Sequence, residues 1–345
     1  MIRMKKWLSC LVAALAVFCL TGCGGNGISD ALVVGENVSD EAVSEVWASV
    51  QGYASSLNTM SGRYTAGEKA SESFAEAVKA GADSIVVMGS ELDTAFYAAQ
   101  KKYKKVHFIG LDVEPREKEG EEVQLLENTV CVTYDKAQLG FMAGYAAVYA
   151  GNQKLGFIAG TEDDEAREYL NGFIAGADAA GQALNAGAGS ISISVWYAGG
   201  EKLTPVVMDK ALSLYDAGCQ VIMTRGNGLI KAVNEAAKKR SKTFISAGSD
   251  WTDTSEQCLM GMTFNTGETA KSLLEKADSE DFSGGDYLSC GVSENSLSLV
   301  CRYESLGSFD EKTYESLYKS LSDGEETSDG DFLNGTELVT VTSEA

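Results

Sequence analysis

The sequence predicts an α/β protein with two doubly wound parallel sheets in series, and three observations lead to this prediction. Short apolar segments alternate along the 345 residues with amphipathic segments of helical period, as in parallel sheets that are covered by helices. Glycine is frequent, with 37 residues, and proline is limited to Pro115 and Pro205, which suits many tight strand-to-helix turns. The alternation restarts after Asp135, so we expect two lobes with a cleft between them.

The first half of the chain begins with a short apolar strand that is followed by an amphipathic helix. Val43, Val46, Trp47 and Val50 recur at spacings of three and four residues, which places them on one face of that helix. The predicted segments of this half are strand 31–35, helix 40–56, helix 73–79, strand 84–89, helix 92–103, strand 106–111 and strand 130–132.

The second half repeats the alternation and begins with a helix that is rich in small residues. Its predicted segments are helix 139–150, strand 154–159, helix 164–181, strand 191–197, helix 206–217, strand 220–223, helix 229–239 and strand 243–247. We assign the chain to three parts: residues 31–132 with 243–285 to the first lobe, 133–242 with part of 286–310 to the second lobe, and 311–345 to a C-terminal helix and an acidic tail that forms a terminal strap.

Residues 1–22 are predicted to be a signal peptide. Three basic residues precede an apolar run over 7–20, which has the length of a signal-peptide core and is too short to span a bilayer. The four residues that end at Cys23, Leu-Thr-Gly-Cys, resemble the bacterial lipobox, in which the cysteine is acylated and cleavage occurs before it. Residues 23–30 are then a lipidated cysteine and a flexible tether, so we expect the protein on the extracytoplasmic face of the cell membrane, held by its lipid alone.

The charge balance argues against a nucleic-acid-binding surface. Lys and Arg total 28 against 50 Asp and Glu, which gives a formal net charge of -22, and cleavage before Cys23 removes three basic residues and takes it to -25. Phosphate backbones are bound by Lys and Arg that release counterions, so nucleic acid is not an expected partner. This acidic balance instead makes the chain soluble and repels it from anionic lipid heads.

Neither an enzyme nor a metal or cofactor site is expected. The single histidine, His107, lies in a predicted strand, which leaves no imidazole for a zinc site or a hydrolase triad. No phosphate loop, HExxH motif or nucleophile elbow occurs. The acidic run 162–165 is predicted to be a helix start that interacts with the helix dipole rather than a calcium loop, and Glu91 and Asp93 are assigned to the surface.

Five cysteines remain after the predicted signal peptide and anchor. Each lies in or beside an apolar stretch and no CxxC pair occurs, which favours buried reduced thiols, with one or two disulfides as the alternative in an oxidising compartment. These cysteines are Cys131, Cys219, Cys258, Cys290 and Cys301.

Polar and glycine-containing segments follow the predicted strands, at the edge where doubly wound sheets bind ligands. Glycine lets the backbone approach a solute closely, and polar side chains hydrogen-bond to it. The segments are Gly89-Ser90-Glu91, Asp112, Gly160-Thr161-Glu162, Arg225-Gly226-Asn227-Gly228 and Gly248-Ser249-Asp250-Trp251. This arrangement predicts a receptor that binds a small solute between its lobes.

Five further segments carry a family resemblance. They are Leu-Gly-Phe-Met-Ala-Gly-Tyr-Ala over 139–146, Lys-Leu-Gly-Phe-Ile-Ala-Gly over 154–160, Asn-Gly-Phe-Ile-Ala-Gly over 171–176, Ala-Leu-Ser-Leu-Tyr-Asp-Ala-Gly over 211–218 and Ser249-Asp250. Together they resemble the basic membrane protein, or PnrA-like, family of substrate-binding lipoproteins, in order from about Ser84 to Leu299. The resemblance implies a type I periplasmic-binding-protein fold and capture of purine or other nucleosides for an ABC importer, and a purine-type nucleoside is the solute that we expect here.

The sequence departs from that family where the family holds its ligand. Family members carry Asp-x-Ser-Phe-Asn after the first strand, with a ring that stacks on the base, whereas residues 39–43 here contain neither Phe nor Asn. The family's hinge segment Asp-Ser-Asp-Gln reads Gly-Ser-Asp-Trp over 248–251, and a downstream lysine is Asn265. Trp251 and Tyr169 are the candidates to replace the missing ring.

Six residues are the predicted ligand contacts, from the strand-end positions and the family resemblance. They are Asp112, Asp250, Trp251, Tyr169, Arg225 and Asn227. Structural alternatives stay open: Asp112 as a turn cap, Trp251 as hinge packing and Arg225 as the partner of a neighbouring carboxylate.

We therefore expect a monomeric, lipid-anchored binding protein that captures a nucleoside-like solute and passes it to the permease of an ABC transporter. Asp250 and Asp112 would hold the solute from one lobe while Tyr169 or Arg225 closes on it from the other. The alternative is a membrane-anchored sensor or receptor of the same fold for a small molecule other than a nucleoside.

Overall fold

The computed structural model describes most of the chain beyond the predicted signal peptide. The described residues are 27–36, 38, 40–67, 69–118, 120–200, 202–247, 252–279, 282, 284–325 and 330–344, without the side chains of Glu41 and Asn227. The predicted signal peptide, Cys23, Asp250 and Trp251 lie outside these residues.

Strands and helices alternate along the described residues. The strands are β1 (Ile28–Gly35), β2 (Met60–Ala66), β3 (Ser84–Met88), β4 (His107–Leu111), β5 (Thr129–Tyr134), β6 (Lys154–Ala159), β7 (Ile191–Tyr197), β8 (Val221–Arg225), β9 (Thr243–Ala247), β10 (Cys258–Phe264), β11 (Tyr287–Cys290), β12 (Leu297–Cys301) and β13 (Val339–Ser343). The α-helices are α1 (Asp40–Ser56), α2 (Ala70–Ala80), α3 (Asp93–Lys102), α4 (Lys136–Tyr149), α5 (Asp164–Ala183), α6 (Pro205–Asp216), α7 (Asn227–Arg240), α8 (Thr266–Ala277) and α9 (Glu311–Ser322).

The strands form two sheets, which confirms the predicted α/β class. The first sheet has the order β11-β5-β4-β3-β1-β2, and its strand pairs are parallel. The second has the order β12-β10-β9-β8-β6-β7-β13, in which β10 and β12 pair antiparallel. The central strand β3 is buried along its whole length, as expected for a sheet covered by helices on both faces.

The edge strand β2 has no apolar run that sequence analysis could detect. Its sequence, MSGRYTA, mixes polar and small residues, and most of its side chains are at least partly exposed. The strand lies outside β1 and pairs with that strand alone in the described sheet, so it needs no buried apolar faces.

Residues 243–285 were assigned to the first lobe, and the sheet pairing divides them. Strands β9 and β10 continue the second sheet beyond β8, because both are apolar and pair in parallel with their neighbours there. Helix α8 then packs on α1, on the side of the first sheet. Strand β11 pairs with β5, also in the first sheet, so the chain passes between the sheets after β5, after β10 and after β11.

Helices α4 and α5 pack backbone to backbone through four glycines. A Cβ atom on Gly140 would overlap the carbonyl oxygen of Tyr169, and one on Gly144 would overlap that of Phe173. The contact is reciprocal, because Gly172 and Gly176 lie against carbonyl oxygens of α4, those of Ala137 and Phe141. The small residues of the two family-like segments therefore serve close helix packing.

The predicted terminal strap is partly a strand that extends the second sheet. The Asn171 side chain of α5 donates to the Gly330 carbonyl at 2.8 Å and accepts the Phe332 N–H at 2.7 Å. β13 then pairs in parallel with β7. The acidic tail thus covers an edge that β7 would otherwise expose.

We expect Gly176→Ala to lower the free energy of unfolding by about 3 kcal/mol, because the new methyl group meets the fixed backbone of Phe141. Gly52→Ala is the matched control, since Gly52 is exposed on α1 and a Cβ there meets no atom within 4 Å. This control should be neutral or gain about 0.5–1 kcal/mol. Urea denaturation measures both, and equal effects would contradict the packing argument.

Candidate functional site

A cavity of about 320 Å³ opens at the carboxyl ends of the first sheet's strands. Doubly wound sheets bind ligands at this edge, and the volume is within the range of small-molecule sites. Its lining combines apolar, acidic and hydroxyl side chains. The lining residues are Val38, Ala42, Met88, Gly89, Ser90, Glu91, Leu111, Asp112, Tyr134, Phe264 and Thr266.

Glycines at the ends of β1 and β3 leave room for the Glu91 carboxylate. Gly89 follows β3 with a φ of 109°, a left-handed conformation that a side chain would strain. A Cβ on Gly35, at the end of β1, would overlap the Glu91 carboxylate. Glu91 was predicted to be a surface residue, and although it is exposed it lies in the wall of the cavity.

Of the predicted ligand contacts whose side chains are described, Asp112 lines the cavity. It follows β4 with a φ of 53°, and its N–H donates to the Val132 carbonyl at 2.9 Å. A non-glycine residue in this left-handed region is uncommon, although Asp tolerates it better than most. Its side chain remains 66% exposed, so the carboxylate is open to a solute.

A buried cation, which sequence analysis did not single out, faces Asp112. Lys136 is the first residue of α4 and only 9% exposed, and its Nζ lies 3.9 Å from Asp112 Oδ1. The same ammonium group acts on Glu168 of α5, where burial raises the pKa of the carboxyl and the Lys136 charge works against that rise. Lys136 thus lies between carboxylates of a first-sheet loop and of a helix beside the second sheet.

Two aromatic rings meet at the chain crossings between the sheets. Tyr134 ends β5 and Phe264 ends β10, and their ring centroids are 4.8 Å apart with planes inclined by 37°. Both line the cavity, Tyr134 almost fully buried and Phe264 partly exposed. This pair supplies an aromatic surface that residues 39–43 lack.

Arg225 pairs with neighbouring carboxylates, which was the structural alternative to a ligand contact. Its Nη1 lies 3.1 Å from Asp163 Oδ1 and its Nη2 lies 2.6 Å from Glu165 Oε2, with the guanidinium side chain 16% exposed. Asp163 also caps α5, accepting the Ala166 N–H at 2.8 Å, as predicted for the acidic helix start. Partial burial works to raise the pKa of Asp163, but hydrogen bonds from Thr161 and Ala166 and the Arg225 charge hold it below its usual range.

The other predicted contacts are not brought to the cavity within the described residues. Tyr169 is fully buried in α5, with its backbone against Gly140 of α4. Asn227 is the first residue of α7, which follows the second-sheet strand β8, and its side chain lies outside the described part of the chain. Asp250 and Trp251 also lie outside it, so their predicted roles stay predictions.

A longer strand β5 explains why Tyr134 was missed. The apolar run suggested an end at Val132, but β5 continues for two residues and ends at Tyr134. The rule that ligands meet strand ends then selects Tyr134, and it selects Phe264 once β10 is recognised. Lys136 gives no such signal, since nothing in a helical sequence marks one lysine as buried.

The described cysteines are free thiols, as favoured from their apolar surroundings. Burial raises the pKa of Cys219 to about 11 and that of Cys301 to about 12, so these thiols stay protonated at neutral pH. Among the residues that the structure describes, no group of His, Cys, Asp and Glu could hold a metal ion. None of the helices described is long and apolar enough to cross a membrane.

Asp93 lies beside the cavity, two residues after Glu91, and is tied to the loop after β4. It accepts the Glu114 N–H at 3.1 Å and lies 3.5 Å from Arg116 Nε. Desolvation by burial raises the pKa of Asp93 to about 6, although Arg116 opposes the rise. Its assignment to the surface is therefore corrected, because only 20% of the side chain is exposed.

Comparison with known proteins gives a family and a fold. The family model described as "ABC transporter substrate-binding protein PnrA-like" matches residues 31–323. A search of curated proteins found no match.

Similar solved structures come from binding proteins and a regulator. A transcriptional activator of the comK gene from Bacillus halodurans has a TM-score of 0.67 at 18% identity, over 87% of this chain and 99% of that one. A solute-binding protein of an ABC transporter system from Conexibacter woesei DSM 14684 has a TM-score of 0.64 at 17% identity, over 87% and 98%. AraP, an arabinose binding protein from Geobacillus stearothermophilus, has a TM-score of 0.60 at 11% identity, over 81% and 98%. At these identities the likeness shows the fold alone, that of type I periplasmic binding proteins.

The raised pKa of Asp93 predicts a pH-dependent stability. A carboxyl whose pKa is about 6 when folded and near 3.8 when unfolded holds its proton longer in the folded state, so its contribution to stability falls as pH rises from about 4 to 7. We expect Asp93→Asn to remove roughly 1–2 kcal/mol of that fall, since partial exposure screens the full effect. Urea denaturation at pH 4 and pH 7.5 tests this. The control is Asp209→Asn, which neutralises an exposed carboxylate on α6 and should show the same difference in unfolding free energy between the two pH values as the wild type. An Asp93→Asn variant that also shows the wild-type difference would refute the assignment of the raised pKa to Asp93.

Proposed function

The chain belongs to the PnrA-like family of ABC transporter substrate-binding proteins, which carry solutes rather than transform them, and from this premise we propose that it captures a nucleoside. Such proteins bind small solutes outside the cytoplasm and deliver them to a permease. The proposed site is the cavity at the carboxyl ends of the first sheet, and the proposed solute is of the purine type. The protein proposed to receive the solute is the permease of an ABC importer.

The observation that carries the proposal is an aromatic pair beside two carboxylates in one cavity. The rings of Tyr134 and Phe264 offer a surface for a flat base, and stacking of a base on an aromatic ring is worth roughly 1–3 kcal/mol. Glu91 and Asp112 offer acceptors for ribose hydroxyls, and a hydrogen bond to a charged group contributes about 1.5–3 kcal/mol. A nucleoside has both features, a stacking base and a sugar rich in donors.

The same carboxylates argue against a phosphorylated solute. Lys136, which faces the cavity-lining Asp112, is engaged with that carboxylate, and Arg225 at the end of β8 is engaged with Asp163 and Glu165. A phosphate brought to this wall would face Glu91 and Asp112 across a partly desolvated space. The chain's formal charge of -22 adds to the repulsion.

We expect the purified protein to bind adenosine or inosine and to bind adenosine monophosphate at least tenfold more weakly, as measured by calorimetry. Saturation at about 100 times the dissociation constant should add about 2.7 kcal/mol to stability. Asp112→Asn should weaken nucleoside binding about tenfold with little change in the unliganded melting temperature, because Asn also tolerates the left-handed backbone.

Asp209→Asn makes the same change of charge far from the cavity wall and should bind as the wild type does. Tighter binding of the monophosphate would refute the charge argument. A wild-type protein that binds none of these nucleosides would refute the proposed solute class.

The proposed localisation depends on a lipid anchor at Cys23. Strand β1 begins at Ile28, within the tether predicted over 23–30. The lipobox-like residues before Cys23 and the glycine-rich residues 24–27 after it support an acylated protein on the outer side of the cell membrane. Two or more acyl chains, at about 0.8 kcal/mol for each buried methylene group, hold a protein firmly, whereas one chain does so only marginally.

We expect the wild-type chain, expressed in a bacterium that processes lipoproteins, to lose residues 1–22 and gain the mass of its acyl chains. Cys23→Ala should remain unprocessed or be released without lipid, because the thiol that carries the acyl group is gone. Intact-mass spectrometry distinguishes these species. A wild-type protein that is unacylated and cleaved elsewhere would refute the anchor.

A further inference from the structure

The two carboxylates that line the cavity come from two separate segments of the first lobe. Glu91 lies in the turn between β3 and α3, and Asp112 follows the neighbouring strand β4. Beyond the ends of these strands the chain leaves the sheet, so ladder hydrogen bonds no longer fix one segment against the other. The separation of the two carboxylates therefore depends on contacts between the segments themselves.

Asp93 joins these two segments. It is the first residue of α3, two residues after Glu91, and its Oδ1 accepts the N–H of Glu114 at 3.1 Å, two residues after Asp112. The Asp93 carbonyl accepts the Arg116 N–H at 3.4 Å, and Asp93 Oδ2 lies 3.5 Å from Arg116 Nε. One residue thus holds the loop after β4 through both its side chain and its backbone.

Arg116 makes the connection from the side of that loop. Its Nη1 donates to the Glu121 carbonyl at 2.7 Å, and its Nη2 pairs with the Glu114 carboxylate. Oε1 of Glu114 in turn accepts the hydroxyl of Tyr287, on β11, at 3.0 Å. We call Asp93 together with Arg116 the clamp, because the two side chains tie the start of α3 to the loop after β4.

The backbone of Asp112 needs support of this kind. Its φ of 53° lies in the left-handed region, and a non-glycine residue keeps such a conformation only where its surroundings hold it. The Asp112 N–H is held by the Val132 carbonyl, and Val113 is fully buried. Asp93 then holds the N–H of Glu114, so the clamp secures the residues that follow the left-handed turn.

We propose that Asp93 and Arg116 are positioning residues for the two cavity carboxylates, and that the affinity for the solute depends on the ionisation of Asp93. The inference rests on the proposed function, because it takes these carboxylates to bind the ribose hydroxyls. Ionised Asp93 attracts the Arg116 guanidinium group. Protonated Asp93 keeps an acceptor for the Glu114 N–H but loses that attraction, so the loop that carries Asp112 is held less firmly.

The groups around Asp93 bring its titration into the weakly acidic range. Desolvation by burial raises its pKa to about 6, against the charge of Arg116 and its hydrogen bond, and the charge of Glu91 adds to the rise. Two further titratable groups lie nearby, Glu114, which shares Arg116, and the buried thiol of Cys131 on β5. With this pKa, about one tenth of Asp93 is ionised at pH 5 and nearly all at pH 7.5. Solute binding should therefore weaken as the pH falls through 6.

The test compares the pH dependence of nucleoside binding in the wild type with that in Asp93→Asn. The probes are inosine and adenosine, neither of which changes charge between pH 5 and pH 7.5. We expect the wild-type dissociation constant, measured by calorimetry, to be about three- to tenfold larger at pH 5. Asp93→Asn should bind about three- to tenfold more weakly than the wild type at pH 7.5 and lose most of the pH dependence. Any dependence that arises from the cavity carboxylates is common to both proteins.

Arg116→Gln tests the clamp from its other side. It removes the charge that opposes the rise in the pKa of Asp93, so it should weaken binding at pH 7.5 and move the midpoint of the pH dependence to higher pH. A purely structural role would change the melting temperature without moving this midpoint. Asp209→Asn, which neutralises an exposed carboxylate on α6, is the matched control and should bind as the wild type does at both pH values.

The outcomes separate this inference from the function on which it rests. If the wild type binds inosine or adenosine and Asp93→Asn binds as tightly at pH 7.5, Asp93 is not a positioning residue and the proposed function stands. An Asp93→Asn variant that keeps the wild-type ratio between the two pH values would overturn the role of ionisation, as would a wild-type affinity that is equal at both. If the wild type binds neither nucleoside, the proposed function fails and the inference fails with it.

Discussion

The close contact between α4 and α5 is the constraint on which the geometry of the site depends. Gly172 lies against Ala137, and Gly176 against Phe141, so residue numbers rise together along both helices and the helices run parallel. Their N-termini therefore lie side by side at the cleft edge of the sheets. This places Lys136, the first residue of α4, beside the first turns of α5, where Glu168 faces it. Without the glycines the helices would separate by the width of a methyl group or more, and the Lys136 ammonium group would lie farther from Glu168.

The same contact explains the burial of Tyr169, and the strand order of the second sheet, in which β6 pairs with β8, explains the pairing of Arg225. Tyr169 is fully buried because its backbone is the surface on which Gly140 packs, so helix packing rather than solute contact accounts for its position in this structure. Asp163 and Glu165, at the start of α5, are brought to the end of β8, where Arg225 pairs with both. The guanidinium group is thereby held by protein carboxylates. An acidic chain can keep a cation at its cleft in this way without offering an anion-binding site.

The sequence predicted the fold well where burial dictates composition and poorly where it does not. Strands such as β3 and β6 are buried on both faces, so their apolar runs could be detected. The edge strand β2 carries polar residues and was missed. Residues 243–285 were assigned to the first lobe, but β9 and β10 lie in the second sheet, because an apolar strand looks the same in either sheet and only the pairing of β9 with β8 decides between them. In the site, Asp112 could be predicted because a polar residue follows an apolar run, whereas the burial of Lys136 depends on tertiary packing that no local pattern encodes.

The aromatic surface has a different origin here from the one implied by the family pattern, and this affects how a solute would act on the lobes. The family's ring comes from a loop after the first strand, but residues 39–43 have none, and Val38 and Ala42 present small apolar side chains to the cavity instead. The rings here are Tyr134, from a strand of the first sheet, and Phe264, from a strand of the second. A solute that touches both rings contacts both lobes at their crossings, so its interaction free energy depends on how the lobes are arranged. Such a difference between open and closed arrangements is what a ligand needs in order to shift the balance between them.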